Sequence, residues 1–176
     1  MLRSEILNRP EGLDGTGRLA AFAMRRLELK LPPVAVFLVA GALMWLAARA
    51  GPALRIRLPA LHWAAGVAAL VGIAMGALAV ISFRRAGTTI SPTKPTSTSA
   101  LVVSGIYRWT RNPMYLGLLF FLIGWALILA NPLSLLGLLV FAAYMTRFQI
   151  IPEEKALASL FGSEFAAYQS RVRRWL

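Results

Sequence analysis

An all-α polytopic membrane bundle of about four transmembrane helices is the fold this sequence predicts, and three observations carry that expectation. Hydrophobic residues make up 58% of the 176 and charged residues only 15%, with a mean hydropathy of +0.65, too apolar for a soluble domain of this size. The apolar residues gather into four runs, each near the ~17 to 25 residues that cross a hydrocarbon core. Lysine and arginine border those runs unevenly, as in loops that face anionic lipid on one side. Close spacing of the runs implies one domain over 1–176: a tail and interfacial helix at 1–31, two spans within 33–83, and a loop, hairpin and final helix over 84–176.

Residues 1–16 are polar and carry Arg3, Glu5, Arg9, Glu11 and Asp14 with no apolar core, so a tail is expected there and a cleavable signal is not. Gly15, Gly17 and Ala20 match a dinucleotide fingerprint by letters, but no strand precedes them, and chance explains the match. Over 18–31, Leu19, Phe22, Ala23 and Leu27 recur at helical spacing with Arg25, Arg26 and Lys30 between them, which predicts an interfacial helix ended by Pro32 and Pro33.

The first span is expected over 34–48 (33–50 at its widest) and the second over 62–83, where Gly72 and Gly76 would admit a close helix neighbour. Hydropathy collapses over 84–110, where Pro92, Pro95 and a Ser/Thr run predict a loop without helix until Gly105. A third span over 114–130, a reversal at Asn131 and Pro132, and a fourth span over 133–151 form a hairpin. Pro152 is expected to open a last helix over 153–175, with Glu153 and Glu154 in its first turn and Arg171, Arg173 and Arg174 in its last, matching the helix dipole.

Six Lys/Arg precede the first span, five lie between spans two and three, and five follow from Arg147, against three between spans one and two. That split predicts cytoplasmic termini and a cytoplasmic long loop. Arg111 and the pair Glu153 and Glu154 then share one face. Ionisable groups at a membrane boundary are costly to hold and suggest function. Simpler readings exist for each: Arg111 snorkelling to headgroups, the glutamates favouring a helix N-terminus, Trp109 and Tyr115 as interfacial anchors. The net charge of +12 does not signal nucleic acid, because the arginines flank apolar runs. Without cysteine there is no thiolate nucleophile or disulfide, and no metal site is expected.

Several separated motifs occur in order: TRNPMYLG from Thr110 to Gly117, the Asn131-Pro132 reversal, EEKAL from Glu153 to Leu157, Phe161-Gly162, and YQSRVR from Tyr168 to Arg173. From about Phe83 onward the chain resembles the isoprenylcysteine carboxyl methyltransferases and their phospholipid methyltransferase relatives. The first half matches only as generic membrane helices. Asn112 departs from the histidine usual in that family, and asparagine supplies no titratable proton near neutral pH.

The resemblance implies a membrane enzyme using S-adenosylmethionine in a cytoplasm-facing pocket. It implies Arg111 and Glu154 in acceptor-side, catalytic roles, and Gly105, Tyr107, Asn112, Pro113, Tyr115, Gly117 and Glu153 around the cofactor. Membrane lipid and an amphiphilic or small methyl acceptor, a carboxylate, lipid amine or thiol, are the implied partners. Two other readings remain at this point: a nicotinamide-dependent reductase of the sterol reductase type, which has a similar Arg-x-Pro-x-Tyr-x-Gly region, and a non-enzymatic docking protein.

Overall fold

The computed structural model describes Leu29 and residues 31–56, 58–87 and 100–176. The tail, nearly all of the expected interfacial helix, Arg57 and the middle of the long loop, with Pro92 and Pro95, lie outside the described residues. Of the expected interfacial helix, Leu29 and Leu31 are described and are not helical, Leu29 holding a φ of 57°.

Helix α1 spans Pro33–Ala50, with Pro33 at the first helical position where a missing N–H costs nothing. Its buried residues Pro33, Val36, Ala40 and Met44 recur at steps of three and four, so one stripe faces the bundle. A short 3₁₀ turn, Pro52–Leu54, follows, and then α2, Ala60–Arg85. At 26 residues α2 is about 39 Å long, more than the ~30 Å hydrocarbon thickness, enough to cross it with some tilt, and its last turn carries Arg84 and Arg85. A 3₁₀ turn, Gly105–Arg108, precedes α3, Pro113–Leu129, whose Pro113 again takes the first position.

Small residues join α2 to α3. A Cβ on Gly72 would lie 2.9 Å from the Gly117 carbonyl oxygen, and one on Gly117 would lie 3.0 Å from that of Gly72. Further along, a Cβ on Gly124 would meet the Ala65 carbonyl oxygen at 3.1 Å. Between membrane helices, where lipid tails are as apolar as side chains, such backbone proximity supplies the packing that hydrophobicity alone does not.

Ala130, left-handed at φ 49°, ends α3. Asn131 then ties the reversal to the end of α1: its Nδ2 donates to the carbonyls of Ala48 (3.2 Å) and Gly51 (2.8 Å), and its Oδ1 accepts from Leu133 N–H (3.0 Å). After a 3₁₀ turn at Pro132–Ser134 comes α4, Leu135–Met145. Val36, Ala40, Met44, Tyr115, Leu122, Ala126, Phe141, Met145 and Ile150 form the core shared by α1, α3, α4 and the turn that follows α4.

Pro152 does not start a new helix. The chain stays helical through a π turn, Thr146–Ile150, into α5, Ile151–Arg171. A proline inside a helix removes one bond to the carbonyl four residues earlier and crowds it. The widened turn relieves that crowding, and the Phe148 carbonyl accepts instead from Leu29 N–H at 3.0 Å. The last helix also ends earlier than its basic residues suggest. Gly162, at φ 49° and ψ −120°, breaks α5, and Val172 turns to extended backbone. Arg173 and Arg174 therefore belong to an extended strap rather than to a final helical turn.

Candidate functional site

The strap returns to the start of α3 and is fixed there by hydrogen bonds to its backbone carbonyls. Arg111 N–H donates to the Arg173 carbonyl (3.0 Å), Asn112 Nδ2 to the Arg174 carbonyl (2.8 Å) and Thr110 Oγ1 to that same carbonyl (3.3 Å). Trp175 Nε1 donates to Thr146 Oγ1 on the π turn at 3.1 Å. This places two arginines, distant in sequence, on one carboxylate. Glu154 Oε1 lies 3.1 Å from Arg111 Nη2, while Arg174 donates from Nε to Oε1 at 3.0 Å and from Nη2 to Oε2 at 2.7 Å. The Arg111 and Glu154 side chains are only 12% and 13% exposed, so their attraction is weakly screened. Hydrogen bonding to Glu154 raises the Arg174 guanidinium above its ordinary value.

One residue along, Tyr115 on α3 donates its hydroxyl to Glu153 Oε1. Glu153 and Glu154 thus diverge, one towards the α3 phenol and one towards the two guanidinium groups. Beside them stands a second small core of Ala79, Val102, Tyr107, Phe165, Tyr168 and Val172. Tyr168 donates its hydroxyl to the Tyr107 carbonyl at 2.7 Å, and Tyr107 meets Phe83 edge-on at 5.4 Å. Burial pushes the Tyr107 phenol well up, with the nearby Tyr168 and Glu153 adding to it, so it stands as a neutral, aromatic surface.

The expected site residues divide into two groups. Arg111, Asn112, Glu154, Tyr115 and Glu153 meet at this end of the bundle, and Pro113 is buried beneath them at the head of α3. Gly105 and Gly117 lie against α2: Gly105 holds φ 63° and a Cβ there would sit 2.5 Å from Ser82 Oγ, while Gly117 is part of the contact with Gly72. Both have a packing explanation before any ligand is invoked. Trp109 is 76% exposed, as an interfacial anchor would be. Sequence reasoning missed Arg174, because three basic residues near a helix end read as dipole complements. The fully buried Thr110, which braces the strap, was passed over as part of a motif.

Among the described residues, Arg111 Nε is buried with no hydrogen-bond partner. An orphaned guanidinium donor is costly unless a ligand supplies an acceptor, so the donor set fits a carboxylate such as S-adenosylmethionine carries. Tyr107 adds an aromatic face, and Glu153 a carboxylate able to accept from hydroxyl or ammonium groups. No group of three metal-ligating side chains occurs among the described residues.

A family model described as phospholipid methyltransferase matches residues 60–164, beginning at α2, which the sequence had suggested only as a generic span. A 63-residue stretch is 48% identical to an uncharacterized protein of Haemophilus influenzae, covering 36% of this chain and all of that one. Protein-S-isoprenylcysteine O-methyltransferase of Saccharomyces cerevisiae is 40% identical over 86 residues, 47% of this chain and 35% of the yeast protein. The Tribolium castaneum protein of the same name is 30% identical over 115 residues, 64% of this chain and 41% of its own. This chain therefore spans less than half the length of either methyltransferase.

Proposed function

The chain belongs to the phospholipid methyltransferase family, and from that premise we propose that it is an integral membrane methyltransferase that takes its methyl group from S-adenosylmethionine. The observation that carries this reading is the shared Glu154, held by Arg111 and Arg174 at the end of a bundle of apolar helices. The acceptor is amphiphilic or small, since a site at the bilayer boundary can admit a lipid tail from the side while polar ligands enter from water.

When bound, S-adenosylmethionine supplies an electrophilic methyl on a sulfonium centre. The protein's task is alignment, since displacement at carbon needs acceptor, methyl and sulfur in line. Arg111 orients an anionic group of acceptor or cofactor through the donors that Glu154 leaves free. Both Glu154 oxygens are occupied by guanidinium donors, which favours a charge-fixing role over proton transfer. Glu153, held by Tyr115, faces the cofactor's hydroxyl or ammonium groups. Asn112 acts through the strap rather than through a titrating proton. Active site and termini are cytoplasmic in this reading, on the strength of the uneven basic residues.

Calorimetric titration of the detergent-purified protein with S-adenosylmethionine, with NADPH in a parallel cell, is the test. Saturable S-adenosylmethionine binding that Arg111→Ala abolishes supports the proposal, and labelled-methyl transfer to lipid amines, prenyl-cysteines or thiols then identifies the acceptor. Binding of NADPH alone would refute it.

A further inference from the structure

We propose that the cavity between α1, α2 and α3 binds one acyl chain of an anionic phospholipid, with the lipid phosphate held at Arg49. The cavity is about 590 Å³, and Phe37, Gly41, Trp45, Ala69, Phe121 and Trp125 are among its walls. None of the charged-end cluster lines it. The site is thus separate from the one assigned to methyl transfer and does not depend on that assignment.

Its dimensions match a single leaflet. Along α1 the lining runs from Phe37 to Trp45 and along α3 from Phe121 to Ile128, about 12 Å of helix at ~1.5 Å per residue. That is a little under half of a ~30 Å hydrocarbon core. Phe37 and Phe121 pair edge-on, 6.5 Å between centroids, at the end nearer Arg111. The one polar group on the Trp125 ring is satisfied within the wall, donating to the Gly41 carbonyl at 3.0 Å, and the rest of the named lining is apolar. A hydrocarbon chain fits.

The opposite end supplies the headgroup contact. Trp45 lines the cavity, and one turn further along α1 the Arg49 guanidinium lies 4.8 Å from the Trp45 ring centroid. Stacking on indole fixes the guanidinium plane and leaves its edge donors for a phosphate. Among the described residues no carboxylate pairs with Arg49. Tryptophan and arginine at headgroup depth, joined to an apolar slot one leaflet deep, together recognise a lipid with net negative charge.

Native mass spectrometry of the whole protein, with thermal unfolding in mixed micelles, tests this using phosphatidylglycerol and phosphatidylcholine of identical chains. Phosphatidylglycerol should bind about fivefold more tightly than phosphatidylcholine, the effect expected of one interfacial arginine. Arg49→Gln should erase that preference, and Arg84→Gln, at the other end of the bundle, should keep it. Ala69→Phe fills the cavity and should lower retention of both lipids; Ala42→Leu intrudes from α1 and replaces it if Ala69→Phe does not fold. Equal affinity for the two lipids, a preference that survives Arg49→Gln, or unchanged retention in the filled variants would overturn the proposal. So would a two-chain species that the filled variants dissociate, which would assign the cavity to a second copy.

Discussion

Arg174 engages both carboxylate oxygens of Glu154, from Nε to Oε1 at 3.0 Å and from Nη2 to Oε2 at 2.7 Å, while Arg111 Nη2 lies 3.1 Å from the same Oε1. Removing the carboxylate leaves two guanidinium groups side by side without compensation. Glu154→Gln is expected to cost about 3 kcal/mol of stability and to lower methyl transfer about a hundredfold, because misplacing Arg111 spoils alignment. Arg55→Ala, at the other end of the bundle, should change neither. Thermal unfolding and labelled-methyl turnover of the purified variants measure both, and equal small losses in the two would sink the assignment of this cluster.

Asn112 is a hydrogen-bond donor to the strap, and a histidine, the residue usual here in the family, has an N–H that can replace it. Asn112→His is expected to retain at least about half of wild-type turnover. Asn112→Leu leaves the Arg174 carbonyl without its amide donor, at a cost of about 1 to 3 kcal/mol. If the histidine variant were as impaired as the leucine one, Asn112 would have a role of its own towards ligand.

The glycines of α2 should respond unequally to a single methyl group. Gly72→Ala forces a Cβ to 2.9 Å from the Gly117 carbonyl and about as near the Phe121 ring, and a loss of about 1 to 3 kcal/mol is expected. Gly76→Ala and Gly66→Ala meet nothing within 4 Å, and should be neutral or slightly stabilising through reduced chain entropy. Melting temperatures of the three variants decide the matter.

Sidedness can be read directly, because the chain contains no cysteine. Ser163→Cys, exposed on α5, and Arg55→Cys, between α1 and α2, give single thiols at opposite ends of the bundle. In intact cells a membrane-impermeant thiol reagent should label the second and spare the first. The reverse pattern would move the charged cluster to the outer face.

Much of the fold was legible because apolar run length and proline position limit where a membrane helix can start and stop. Pro33 and Pro113 open α1 and α3 close to the expected positions, and Asn131 and Pro132 mark the reversal. The meeting of Arg111 with Glu154 followed from topology. Arg174 did not, because its placement depends on Gly162 and Val172 leaving helical geometry, and a basic residue near a helix end already has an explanation. Pro152 misled for a related reason: whether a proline begins a helix or sits within one depends on the π turn before it, and on Leu29 taking up the carbonyl it strands. That partner lies more than a hundred positions away, beyond any local pattern.

The backbone contact of Gly72 with Gly117 has a mechanical corollary. Where Gly72 meets Gly117 no side chain of either residue stands between the two main chains, so this crossing has little room to slide and acts as a fixed point between α2 and α3. Elsewhere the bundle meets through the unbranched side chains of Met44 and Met145 and is interrupted at Gly162, contacts with more room to adjust than that backbone crossing.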